Sequence, residues 1–351
     1  MQHRGKTVIS GLQTWVQKPS PTKIMVSVNC SRSTAAILED EHAPRSGTAN
    51  FPENQRTLMS KPLVSVVIPC FNGAEDVAGA IDSALAQQNC DLEVIVINDG
   101  SSDETANVLN RYGNRIRTVH QENRGLPKTR NLGIELAQGE WVAFLDHDDF
   151  WMPSKLQKQL EAASAENADV VYTNTLNFGD SDRVDSLRHV PDQMPQGDLF
   201  EALLMDNFLV TSSLMVRRTI LDSVGRFTES PVMAEDWDLW LKIAAAGHRF
   251  VPVREPLTRY RWRAGSFSKH YDRMRRYREL ALHRALATDR GKQLPWSVRR
   301  KALANVQNCS AWFLAASSPR RAIKWYAQSI YYWPFDITSW KGIVKGCLGR
   351  S

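Results

Sequence analysis

The sequence predicts an α/β fold: a mainly parallel central sheet followed by an α-helical C-terminal extension. Three observations carry this. From Leu63 to Leu145, short β-branched runs alternate with helical stripes of roughly ten to fifteen residues, the rhythm of βαβ units. The strand candidates are near-continuous apolar runs, as expected of strands buried on both faces. Beyond Tyr271 the pattern is helical throughout, punctuated by Pro295, Pro319 and Pro334.

Residues 1–60 are rich in Ser, Thr, Pro, Asn and charge, lack periodicity, and read as a largely disordered leader. Met1, Met25 and Met59 all stand as translation starts. Val64 to Pro69 is a β-branched strand ended by Pro and by the turn residues Phe71-Asn72-Gly73. Glu75 to Gln88 reads as a helix with Val77, Ile81, Ala84 and Leu85 on one stripe. Leu92 to Ile97 is the second strand, broken by Asn98-Asp99-Gly100-Ser101-Ser102-Asp103, where Ser102 or Asp103 would cap the next helix. A shorter strand, Arg115 to His120, a helix near Pro127 to Ala137, and a strand at Trp141 to Leu145 complete the first half.

The second half continues with a helix at Pro153 to Ala165, its Pro at a tolerated N-terminal position. Ala168 to Thr173 and Ser212 to Val216 read as strands, Leu199 to Met205 and Asp236 to Ala246 as helices. Asn177 to Pro195 is polar and reads as a loop over the site, and two short strands follow at Arg249 to Pro252 and Leu257 to Trp262. The expected organisation is therefore a leader over 1–60, a domain over 61–270 and a basic helical extension over 271–351. The domain divides into two halves, 61–150 and 151–270.

The chain of 351 residues is 42% hydrophobic and 23% charged, ordinary for a folded soluble protein. It contains no apolar run long enough to span a bilayer and no secretory h-region. Its five cysteines are scattered without a C-x-x-C pair, which argues against a disulfide framework or structural zinc and fits a reducing cytosol. The overall charge of +6 hides an asymmetry. Residues 271–351 hold sixteen Lys or Arg against four Asp or Glu, a net of +12, leaving the rest of the chain at −6. A basic tail on an acidic body points to a polyanionic partner, here an anionic membrane face, although helices with solvated basic faces would read alike. A peripheral place on the cytoplasmic side of a membrane is the expectation.

Chemistry concentrates at Val142 to Asp149, where four apolar residues run into Asp146-His147-Asp148-Asp149. Carboxylates this close repel one another and are costly to desolvate. A divalent cation such as Mg²⁺ or Mn²⁺ would relieve both penalties, because hard cations take oxygen ligands, although an acidic turn that merely follows a strand would read alike. Ligands of open α/β sheets bind at the carboxyl ends of the strands. Those ends carry Pro69, Phe71 and Asn72, then Asp99, then the acidic run.

The order of motifs over 63–268 resembles an inverting family-2 glycosyltransferase with the Rossmann-like, nucleotide-sugar-binding A-type fold. Five segments carry the likeness: Val66-Val67-Ile68-Pro69-Cys70-Phe71-Asn72, Asn98 to Asp103, Thr129-Arg130-Asn131-Leu132-Gly133, Phe144 to Asp149, and Glu235-Asp236-Trp237-Asp238-Leu239-Trp240. The resemblance implies a nucleotide-binding half over 61–150, an acceptor half over 151–270, and a nucleotide-sugar donor, with Asp99 on the base, flanked by Phe71 and Glu75, although an Asx-turn would also suit Asn-Asp-Gly. It implies that Asp146 and Asp148, around His147, meet ribose, diphosphate and a divalent cation (Mn²⁺ or Mg²⁺). Lys128 and Arg130 are candidates for phosphate contact, and Arg130 equally for structural pairing. Asp236, beside Glu235, is implied as the general base, against the alternative of a helix N-terminal carboxylate. Trp237 and Trp240 suit core or acceptor platform alike. Where many relatives carry a metal- or phosphate-contacting His, this chain has Arg263. Arg cannot ligate a cation, but with Arg261, Ser266 and Ser268 it suits a loop closing on diphosphate.

Other classes fit less well. An aspartyl phosphohydrolase places its D-x-D near the start of the chain, and a dinucleotide dehydrogenase needs a G-x-G-x-x-G that is missing. A nucleic-acid role would leave the acidic centre unexplained. The absence of Q-x-x-R-W favours transfer of a single sugar to a saccharide or lipid-linked saccharide acceptor. A non-catalytic nucleotide-sugar binder is the alternative.

Overall fold

The computed structural model describes residues 63–179, 185–229, 234–262, 271–315 and 317–348. The leader 1–60 and Arg263, Ser266 and Ser268 lie outside them. The strands are β1 (Val64–Cys70), β2 (Leu92–Asp99), β3 (Arg117–Gln121), β4 (Trp141–Phe144), β5 (Phe150–Trp151), β6 (Val170–Gly179), β7 (Leu214–Arg217) and β8 (Phe250–Trp262). Between and after them run α1 (Val77–Leu85), α2 (Thr105–Asn110), α3 (Leu126–Leu136), α4 (Lys155–Glu166), α5 (Phe200–Met205), α6 (Arg218–Val224) and α7 (Glu235–Ala245). The extension holds α8 (Tyr271–Ala287), α9 (Asp289–Gln293), α10 (Trp296–Ala315), α11 (Pro319–Tyr332) and α12 (Ile337–Cys347).

One sheet joins both halves in the order β3-β2-β1-β4-β7-β6-β8-β5. The pairs β1–β2, β2–β3, β1–β4 and β6–β8 are parallel, whereas β7 is antiparallel to both neighbours and β5 is antiparallel to β8. Every residue of β1 and β4 is buried, because helices cover both faces. Alternation sorts the side chains. Val64, Val66, Ile68, Val94 and Val96 face α1 and α4, whereas Val67, Ile95, Ile97, Val142 and Phe144 face α3, α7 and the helices of the extension. Ala281, Leu282, Ala285, Leu286, Ala302 and Val306 of α8 and α10 belong to that second core, so the extension packs on the sheet and its helices.

Three local readings differ from the structure. Phe250–Trp262 forms one strand where two were expected, since Pro252 and Pro256 fall where β8 pairs only with β6, and register shifts on either side of Asn174 absorb the extra residues. Asn177 to Gly179 continue β6 instead of opening a loop. Asp103 accepts from the Thr105 amide at the start of α2, but the N-cap position itself is Glu104. Among the described residues no helix is long and apolar enough to cross a membrane.

Candidate functional site

The parallel register of β1 with β2 aligns Pro69 with Ile97 and Cys70 with Asn98, so the two strands end at one level. Their loops are laced together. Asn72 takes a left-handed backbone (φ 48°), its amide donates to Ser101 Oγ (2.9 Å), and its Oδ1 accepts from the Ser102 amide (2.9 Å). The Gly73 amide donates to Thr105 Oγ1 (3.0 Å) and the Ala74 amide to Asp103 Oδ2 (3.1 Å). Phe71 is left 46% exposed beside this floor, and Glu75 is exposed one turn on.

Asp99 is buried under the floor. Its Oδ1 accepts from Gln121 Nε2 (2.6 Å) and the Arg124 amide (2.8 Å), and its Oδ2 accepts from the Gly125 amide (2.9 Å). The carboxylate thus fixes the backbone at the start of α3. The Asx-type contact belongs to its neighbour: Asn98 Oδ1 accepts from the Ser101 amide (3.0 Å).

Helix α3 exposes Lys128 and buries Arg130, which is 2% exposed and stacked 5.3 Å over the Phe227 ring. Its Nη2 donates to Asp146 Oδ1 (2.7 Å) and its Nη1 to Glu235 Oε1 (2.8 Å). One guanidinium therefore joins the D-x-D turn to the first residue of α7, which lies 105 positions from Arg130 itself. Burial works against that charge, but Asp146 and Glu235 outweigh it and hold the group firmly protonated.

The acidic run divides by burial. Asp146, His147 and Asp148 are partly exposed, whereas Asp149 is fully buried. Asp149 Oδ2 accepts from Ser212 Oγ (2.5 Å) and its Oδ1 from the Arg261 amide (2.8 Å), which ties β8 to the turn. Burial, then the fields of Asp146 and Asp148, push the Asp149 carboxyl well above the usual carboxylate range. Arg261 also donates from Nε to the Asp148 carbonyl (3.0 Å), pairs with Asp76 (3.4 Å), and lies 4.5 Å over the Phe178 ring. His147 packs against Gly73, where a Cβ would stand 2.6 Å from its ring.

On the opposite wall, Glu235 is 9% exposed, and burial pushes its carboxyl up to about 7; Arg130 opposes the shift and Asp236 adds to it. Asp236 is partly exposed at the first turn of α7, and its Oδ2 accepts from Asn207 Nδ2 (3.2 Å). Trp237 and Trp240 are core: both are buried, and Trp237 Nε1 donates to the Leu203 carbonyl (2.7 Å). Ser212, Asp76 and Asn207 gave no signal in the sequence, because each acts across at least 29 positions on a partner set by the fold.

Among the described residues no set of three or more His, Cys, Asp or Glu side chains is arranged to hold a metal ion. Asp146 and Asp148, both partly exposed, are the carboxylates that would hold a divalent cation, whose preference for oxygen ligands they suit.

Comparison with known proteins places this geometry. The family model described as glycosyl transferase family 2 matches residues 65–225. A putative teichuronic acid biosynthesis glycosyltransferase of Bacillus subtilis, TuaG, is 31% identical over 216 residues, covering 60% of this chain and 83% of that protein. An uncharacterized glycosyltransferase of Rickettsia felis is 38% identical over 189 residues, and the chain spans 31% of its length. In fold, S. aureus TarS 1–349 superposes with a TM-score of 0.59 at 17% identity, over 82% of this chain and 92% of that one. The mannosyltransferase PcManGT of Pyrobaculum calidifontis, solved with GDP-Man and Mn²⁺, gives 0.52 at 17% identity, over 84% and 89%. With the TuaG match running through most of that protein, and the family model laid from β1 to the end of α6, the chain belongs to glycosyl transferase family 2.

Proposed function

We propose that the chain transfers a single sugar from a nucleotide sugar, of the uridine diphosphate class, to an acceptor hydroxyl with inversion at the anomeric carbon. The observation that carries this is the Arg130 bridge, which sets Asp146 of the D-x-D turn and Glu235, next to Asp236, on one buried cation. Donor and base sides then face each other at a fixed distance, as a single displacement requires. Asp236 takes the proton of the acceptor hydroxyl. The oxygen attacks the anomeric carbon from the side opposite the diphosphate, and the bond to the diphosphate breaks with its electrons leaving on the nucleotide. Asp146 and Asp148 would hold a divalent cation, whose chemistry is to neutralise charge on the departing diphosphate. Arg261 neutralises Asp76 and buttresses the Asp148 backbone from behind.

The laced β1 and β2 loops, with exposed Phe71 above them, suit a nucleoside lying across the strand ends. Complexes of TarS with UDP-GlcNAc and of PcManGT with GDP-Man support a nucleotide-sugar donor. The name of TuaG supports a role in cell-surface polysaccharide or glycolipid assembly, with a saccharide or lipid-linked saccharide as acceptor. The test is turnover of a nucleotide-sugar panel by purified chain, with and without Mn²⁺. Asp236→Asn should abolish transfer while leaving nucleotide binding intact. Nucleotide binding by the native chain without transfer to any acceptor, or release of sugar to water, would instead favour a non-catalytic binder.

A further inference from the structure

Helix α12 presents its apolar side outward, the reverse of an ordinary amphipathic helix in a globular protein. Its inner face is built mainly of small residues, with Ile343 partly buried among them. Ser339 is buried, a Cβ at Gly342 would strike the Tyr326 ring of α11, and one at Gly346 would stand 2.8 Å from Ile323. The outer face carries Ile337 (68% exposed), Trp340 (51%), Val344 (57%) and, just past the helix end, Leu348 (64%). Spacings of three and four residues put them on one stripe.

The stripe continues into the turn before α12. Phe335 is 75% exposed, its ring lies 5.4 Å from Trp333, and the Trp340 indole donates to the Pro334 carbonyl (2.8 Å). Charge around the stripe has one sign. Between Pro319 and Leu348 the basic residues are Arg320, Arg321, Lys324, Lys341 and Lys345, and Asp336 is the sole carboxylate. Asp336 is turned inward, where Oδ2 accepts from Asn308 (2.7 Å), Ser329 (3.1 Å) and Ser339 (2.6 Å). Lys341 and Lys345 are exposed beside Trp340 and Val344.

An exposed apolar stripe, aromatic at one end and flanked by lysines without a facing carboxylate, fits an anionic bilayer surface. A second copy of the same face would set like charges against each other. We infer that the α12 stripe and the Trp333–Phe335 turn dock this chain on an anionic membrane. The apolar side chains enter the acyl boundary, and Lys341 and Lys345 meet the lipid headgroups.

The test is sedimentation of the full chain with vesicles of phosphatidylcholine alone, or mixed with phosphatidylglycerol. It needs no nucleotide sugar, so its outcome stands apart from the transfer reaction. The native chain should sediment with the mixed vesicles and stay in solution with the neutral ones. Ile337→Ser combined with Val344→Ser should weaken partition by about tenfold or more, and Lys341→Gln with Lys345→Gln by roughly tenfold with a loss of salt sensitivity. Both pairs are exposed and should leave the unfolding temperature unchanged, which separates lost docking from misfolding. Equal partition of native and variant chains, no sedimentation of the native chain with anionic vesicles, or a native dimer that the serine pair dissolves would overturn the inference.

Discussion

Replacing Arg130 with Met tests whether one buried cation holds the two sides of the site. The guanidinium lies 2.7 Å from Asp146 and 2.8 Å from Glu235, and its side chain is 3% exposed. Met fills similar space but leaves both carboxylates unpaired in a site that also holds Asp149 and Asp236. Removing one partner from a buried ion pair costs about 3–5 kcal/mol. In a domain of this size that should lower the melting temperature by roughly 6–20 °C. Glu235 gives the loss a pH signature. Arg130 restrains the rise of its carboxyl, so the variant raises it beyond the native value of about 7. A carboxyl raised on folding favours the folded state fully below its unfolded value, and that contribution fades as pH rises through the folded one. The deficit should therefore shrink as pH falls from 8 towards 6 and Glu235 takes up a proton. Adding Asp146→Asn and Glu235→Gln to the Met variant should recover much of the stability, because neutral partners no longer need the cation. Thermal unfolding over that pH range is the assay. A pH-independent deficit below about 1 kcal/mol would refute the reasoning.

Two further outcomes follow from the same geometry. In the native chain, log kcat/KM should fall below about pH 7 as Glu235 is protonated and loosens its hold on Arg130, whereas Glu235→Gln should lose that acid limb. A limb that persists in the variant would assign it to another group. Gly133→Ala places a Cβ against the Val67 side chain, where α3 crosses β1, and should cost about 1–3 kcal/mol in denaturant titration at unchanged m-value. An unchanged midpoint would mean that α3 can lift from the sheet without loss.

What could be read from the sequence followed the range of the interactions involved. Strands β1, β2 and β4 announce themselves, since Val66-Val67-Ile68 or Val142-Ala143-Phe144 are apolar whatever their neighbours do. The two-residue β5 and the antiparallel insertion of β7 between β4 and β6 do not, because their pairing is settled by chain far away. The site divides in the same manner. The acidic turn, Asp99 and Glu235-Asp236 stand out by residue type and position. The pairing of Arg130 was one of two open readings, and its outcome depends on α7 arriving beside α3. Ser212 serves Asp149 and the Asp146 amide from a single helical turn before β7 that carries no mark of the task.

The lacing of the β1 and β2 loops has a thermodynamic consequence. Asn72 holds a backbone conformation that few side chains tolerate and spends its own carboxamide on the neighbouring loop. The surface on which a nucleoside would rest is thus organised by the protein's own hydrogen bonds. Its conformational entropy is surrendered during folding, so little remains to be lost when a ligand arrives. Selectivity at such a surface comes from the match of shapes that already exist, and a poor ligand is refused without the protein having to change to refuse it.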